Sequence, residues 1–175
     1  MTIAIIILII LAIPLVAAAF LSKEYRIERE ITINRPNEQV FDYVKHVKNQ
    51  LHYSKWVMTD PNSKMSYRGT DGTIGFVMAW DSTNKNVGKG EQEITGINDG
   101  RQVDMEVRFE KPFKGTSFTH MTTTAISPTQ TQVKWTFVGM RNYAMKLLHF
   151  LVNLKKVLEK DIDTSLSNLK VILEQ

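Results

Sequence analysis

Cysteine is absent from the 175-residue chain. That excludes a disulfide scaffold, a thiolate metal site, a cysteine nucleophile and a lipid-modified cysteine anchor. A run of Lys and Arg is also missing. The net charge of +4 and pI near 9.2 are spread through the chain, so no nucleic-acid partner is expected. The four histidines, His46, His52, His120 and His149, include no i, i+4 ligand pair, and no Asp or Glu joins them in a metal-like cluster. There is no GxSxG nucleophile elbow and no glycine-rich phosphate loop, because Gly69-Thr70-Asp71-Gly72 flanks a turn between strands. No metal and no cofactor is therefore expected.

Charge is missing altogether from residues 1–21, of which 19 are hydrophobic, and all 40 charged residues fall in the remaining 154. Beyond that leader the hydrophobic share is 36%, lean but sufficient for one packed core. The uncharged run Ile3 to Leu21 would reach about 28 Å as a helix, close to the roughly 30 Å hydrocarbon thickness of a bilayer. Its apolar residues occupy every face rather than one stripe. Residues 1–22 are accordingly expected to form a single-pass transmembrane anchor via residues 3–21, with Pro14 tolerated as membrane helices allow. A cleaved secretory signal is the rival reading, with Ala17, Ala18 and Ala19 as the cleavage region. Only Met1 and Thr2 precede the run, however, and a signal peptide wants a basic start and a shorter apolar stretch. Lys23, Arg26 and Arg29 follow the span and no Lys or Arg precedes it, which puts the domain on the cytoplasmic side of the cell membrane.

In residues 23–175 the pattern is that of one α+β domain. Tyr25, Ile27, Ile31 and Ile33 alternate with Arg26, Glu28, Glu30 and Thr32, the period-two signature of a strand with one buried face. Arg29 falls on that apolar face and reads as a strand-end or edge arginine with its head in water. After Arg35-Pro36, the spacing of Val40, Phe41, Val44 and Val47 predicts a short amphipathic helix, and a second one is placed over Leu51 to Trp56. Strands and turns then follow as far as Arg141. Val103, Met105, Val107 and Phe109 alternate cleanly; Phe76, Met78 and Trp80 share a face, as do Val133, Trp135 and Phe137. Phe118 to Ala125 is Thr-rich and alternates poorly. About seven strands joined by short connections mean an antiparallel sheet. From Asn142 to about Glu174, leucines and Ile162 step by three and four, predicting one continuous helix of about 45 to 50 Å that packs into the sheet.

Several short motifs carry a family likeness over nearly all of residues 24–175. They are Ile31-Thr32-Ile33-Asn34-Arg35-Pro36 with Val40-Phe41-Asp42-Tyr43-Val44, Tyr53-Ser54-Lys55-Trp56, Asp60-Pro61, and Tyr67-Arg68-Gly69-Thr70-Asp71-Gly72-Thr73. Gly88-Lys89-Gly90, Lys111-Pro112-Phe113, and Asp161 with Ser165-Leu166-Ser167-Asn168-Leu169-Lys170 complete the set. Together they resemble the START-like helix-grip superfamily (SRPBCC), which includes polyketide cyclase/dehydrase-type proteins, lipid-transfer domains and birch-pollen-allergen-type carriers. Within it the likeness is to a membrane-anchored bacterial branch of unassigned activity. Arg35 stands where a small residue usually precedes the proline, Tyr53 and Lys55 where Trp and Pro are common, and Ser165 where glycine is frequent. The resemblance implies a curved sheet around a long C-terminal helix, with a hollow between them suited to a greasy ligand.

The expected ligand-binding set is Trp56, Phe76, Met78, Trp80, Met105, Val107, Phe109, Trp135 and Phe137, facing Leu147, Phe150, Leu151 and Leu154 of the last helix. Seven methionines lie in this domain, and flexible thioethers suit a pocket of adaptable shape. Lys146, Lys155, Lys156 and Lys160 place basic charge along the helix, as a solvated face or towards an anionic membrane. The leading expectation is a membrane-anchored binding protein for a hydrophobic small molecule or lipid. One alternative is a cyclase/dehydratase-type enzyme using an acid or base in the hollow, with His120 and Tyr143 as candidates. The other is a ligand-free protein interaction module.

Overall fold

The computed structural model describes residues 22–140, 146 and 153–175. The expected anchor, residues 3–21, lies outside them; among the described residues no helix is long and apolar enough to cross a membrane.

Strand β1 (Glu24–Ile33) buries Ile27 and Ile33 and turns Arg26, Glu28 and Glu30 to the opposite face, as period-two alternation dictates. Pro36 cannot donate to a sheet ladder but fits a helix start, and α1 (Asn37–Lys45) follows directly. Its Val40, Phe41 and Val44 are buried, with Glu38 in the first turn and Lys45 in the last complementing the helix dipole. A 3-10 turn (Val47–Asn49) leads into two single-turn helices, α2 (Gln50–Tyr53) and α3 (Lys55–Met58), where the sequence pattern predicts one. The Asp71 carboxylate accepts from Val47 N at 2.8 Å and Lys48 N at 3.2 Å, so the loop beyond β2 caps this turn.

The remaining strands are β2 (Lys64–Arg68), β3 (Val77–Asp81), β4 (Lys89–Asn98), β5 (Gln102–Lys111), β6 (Gly115–Ser127) and β7 (Gln130–Met140). All pair antiparallel, in the order β1-β7-β6-β5-β4-β3-β2, so the seven-stranded antiparallel sheet expected from the sequence is present. On β6 the buried residues are Ser117, Thr119, Met121 and Thr123. Three of the four are hydroxyl side chains, which is why the apolar alternation of this strand is poorly legible.

The C-terminal helix departs from its expected length. Helix α4 (Leu154–Leu173) begins at Asn153, whose backbone is non-helical and whose side chain accepts from Lys156 N at 3.2 Å. A continuous helix from Asn142 is thereby excluded, and α4 is about 30 Å long rather than 45 to 50 Å. It runs alongside β1 in the same direction. Arg29 pairs with Asp163 at 2.6 Å, Lys170 Nζ donates to the Thr32 carbonyl at 2.7 Å, and Asn34 N donates to Glu174. Since β1 is an edge strand, Arg29 keeps a half-exposed head on the face that α4 covers. Ser165, fully buried, accepts from the first backbone N–H of α3 at 2.8 Å and joins the two helices. Ile162, Leu166 and Leu169 close the core over the sheet.

Candidate functional site

Strand register lays out the concave face row by row. One row runs Met78, Gln92, Val107, Ser117, Gly139, Tyr25 from β3 to β1; the next runs Ile94, Met105, Thr119, Phe137, Ile27. Trp80, Gly90, Phe109 and Gly115 form a row nearer the sheet's end. Phe76, Met78, Trp80, Met105, Val107, Phe109, Trp135 and Phe137 thus share one face. Their surroundings differ, however. Trp135 is packed edge-on against Tyr53 (6.1 Å between ring centres) and Trp56 (5.6 Å), with its Nε1 donating to Thr119 Oγ1 at 2.6 Å. Trp56 also covers Phe137 and is pinned by Nε1 donation to Asp161 at 3.1 Å. These rings fill the interior. Trp80 and Phe109, by contrast, are only partly buried and meet edge to face at 6.1 Å. A Cβ on Gly90 would run into the Trp80 ring, so the missing side chain lets the indole lie on the sheet.

A cleft of about 300 Å³ is lined by Leu51, Val57, Met58, Asp60, Pro61, Ser63 and Met65. Met65 of β2 is the register partner of Trp80, so the cleft borders the Trp80 end of the concave face. Its rim is held by Asp60, which accepts from the Ser82 hydroxyl and from Asn62 N at 3.0 Å; the Ser82 bond, chiefly, holds the Asp60 carboxyl below its usual range. None of these lining residues belongs to the set expected from the strands. All but Met65, which lies on the five-residue strand β2, come from one-turn helices and a loop, segments too short to show a period. Asp60-Pro61, one of the family-like motifs, is part of this lining, and Met58 stands there as an exposed, large apolar side chain.

Gln92 Nε2, on the concave face, and the Tyr53 hydroxyl are among the buried side-chain polar atoms with no hydrogen-bond partner among the described residues. Burial pushes the Tyr53 phenol well above its ordinary range, so it stays neutral. Gln50 Nε2 reaches only the Met105 sulfur, at 3.7 Å.

His120 lies on the other face of the sheet. Its neighbours in sequence, Thr119 and Met121, point inward, and its Nδ1 is hydrogen-bonded to Asp104, which also accepts from Gln102 at 2.7 Å. The same outer face carries Arg108 bridged to Glu91, Glu93 and Glu106 at 2.6 to 3.0 Å. Tyr143, Leu147, Phe150 and Leu151 lie outside the described residues, and Leu154 is half-buried in the first turn of α4. Among the described residues no cluster of three His, Asp or Glu side chains is placed to hold a metal ion.

No curated protein matches the chain by sequence. Solved structures share its fold at low identity. Protein CV1439 from Chromobacterium violaceum is 13% identical, over 89% of this chain and 99% of its own, with a TM-score of 0.59. Norcoclaurine synthase from Thalictrum flavum, solved with dopamine and hydroxybenzaldehyde, is 10% identical over 87% and 88%, with a TM-score of 0.62. The Aha1 dimer from Colwellia psychrerythraea is 14% identical over 86% and 96%, with a TM-score of 0.59. A family profile described as polyketide cyclase / dehydrase and lipid transport matches residues 24–174. The match spans the whole sheet and α4, and the chain belongs to this polyketide cyclase / dehydrase and lipid transport family.

Proposed function

We propose that the domain binds an apolar small molecule or lipid that enters at the cleft between α2–α3 and β2 and rests against Trp80 and Phe109. The observation that carries this reading is the cleft itself: about 300 Å³, walled mainly by Leu51, Val57, Met58, Pro61 and Met65, the last being the register partner of Trp80. Family membership, with lipid transport in its description, supports it. An acid/base enzyme is less favoured, because His120 stands on the opposite face of the sheet. In the same proposal residues 3–21 tether the domain to a membrane, supported by their 19 uncharged residues.

Native mass spectrometry of the full chain released from lipid nanodiscs tests the binding reading. The expected result is a reproducible apolar adduct that is lost in Val57→Glu, where a carboxylate would be forced into the cleft wall. A chain that carries no adduct and takes up no added fatty acid overturns it.

A further inference from the structure

One end of the sheet collects features that the binding reading does not use. There β1 begins at Glu24, two residues after Ser22, where the uncharged run 3–21 joins the domain, and β7 ends at its register partner Met140. The β5–β6 hairpin turns at the same end through Pro112, Phe113 and Lys114. Phe113 is 60% exposed and Met140 53%, large apolar side chains standing in solvent. The base of that hairpin is fixed, since the β3–β4 loop packs on it so closely that a Cβ on Gly88 would overlap the Lys111 carbonyl. Because α4 runs in the direction of β1, its first turn also lies here, with exposed Lys155 and Lys156. Lys23, Lys64, Lys85, Lys111, Lys114 and Lys156 have no ion-pair partner among the described residues, against unpaired Glu24, Asp60 and Asp81. Lys89 pairs with Glu110 and Lys155 with Glu159. The cleft lies at this end too, its rim tied to the β3–β4 loop by the Asp60–Ser82 bond.

We propose that this end is a membrane-docking surface. Phe113 at the hairpin tip inserts at the headgroup level of an anionic bilayer, and the surrounding lysines face its phosphates. Two observations select a lipid surface as the occupant: the excess of unpaired cations, and the point at which the apolar run 3–21 joins the chain. Docking so places the cleft mouth against the leaflet. The proposal rests on the membrane tether suggested above and is independent of whether the cleft holds a ligand.

Because the native chain has no cysteine, Phe113→Cys and Thr129→Cys each give a single labelling position. Thr129 lies at the opposite end of β6, about 40 Å away at about 3.4 Å per residue. The full-length variants carry an environment-sensitive fluorophore and are reconstituted into phosphatidylcholine vesicles, with or without phosphatidylserine, that contain nitroxide-labelled lipid. The expected result is quenching at position 113 and none at 129. It should weaken in high salt and in Lys111→Glu with Lys114→Glu, since each lysine near an anionic surface is worth about fivefold in the docked fraction. Equal quenching at both positions, or quenching at 113 indifferent to phosphatidylserine, overturns docking while leaving the tether intact. Failure of the chain to float with vesicles overturns the tether and docking together, and leaves the mass-spectrometric test of the cleft unaffected.

Discussion

Tyr53 is fully buried between Tyr43 and Trp135, and its hydroxyl has no partner among the described residues. A phenol in that position loses water and receives nothing back, a cost of about 1–3 kcal/mol. Tyr53→Phe removes the oxygen and keeps the ring, so it is expected to raise unfolding stability by about 1 kcal/mol in urea titration. A loss of similar size would show that the hydroxyl is engaged. His120 carries a different lesson at this scale. Counting by twos from Met121 puts His120 on the outer face, and the sequence contains that information; the Thr-rich neighbours obscured which parity was buried. Met105 was legible as an inward residue because Asp104 and Glu106 flank it, and Trp135, Phe137 and Met78 because large apolar residues recur two positions away on the same strand. Which of them a ligand can reach was not, since Trp56 and Tyr53 arrive from a distant part of the chain to cover two of these rings.

At the scale of the element, α4 shows how a cap overrides a periodic pattern. The leucine stripe continues upstream of Leu154, yet Asn153 leaves the helical conformation and its side chain satisfies Lys156 N. An asparagine at this position is worth about 1 kcal/mol, because the first turn's N–H groups have no partners within the helix. Asn153→Ala is therefore expected to lower stability by about 0.5–2 kcal/mol and to fray the first turn, read as faster amide exchange at Lys155 to Val157. Unchanged exchange there would mean that packing, not the cap, sets the helix start. Ser165 illustrates the converse, a small polar residue in mid-helix whose hydroxyl serves the neighbouring helix α3. A spacing argument has no means of finding such a residue.

For the whole molecule, the outer face of the sheet is an ion-pair lattice that ties β2, β4 and β5 together. The hydrogen bond from Arg68, aided by Arg108, holds the Glu91 carboxyl below its ordinary value of 4.5. At the β1–α4 end, the backbone N–H of Asn34 does the same for Glu174. Both groups are more acidic folded than unfolded, so the unfolded chain binds more protons as pH falls. Their contribution is present above about pH 4.5 and is lost below it as the folded carboxylates protonate. The expected outcome is a thermal midpoint that is flat near neutrality and falls below about pH 4.5, with a shallower fall in Arg68→Gln combined with Arg108→Gln. An identical pH profile in that variant counts against the lattice as the origin.

Local chemistry was enough to determine the class of fold, the strand count, the parity of most strands and the two-part composition of the chain. Each depends on side-chain period, turn residues or charge within a few positions, and such quantities are written directly in the order of residues. Tertiary structure alone decided that α4 lies along the edge strand β1, that Trp56 and Tyr53 close the interior over Trp135, and that the open cleft is walled by α2, α3 and the loop before β2. It also decided that this cleft, the Phe113 hairpin and the start of β1 at Glu24 occupy one end of the sheet. These are relations between segments up to 140 positions apart, as with Asn34 and Glu174, and they follow from which surfaces can be buried together rather than from any local pattern.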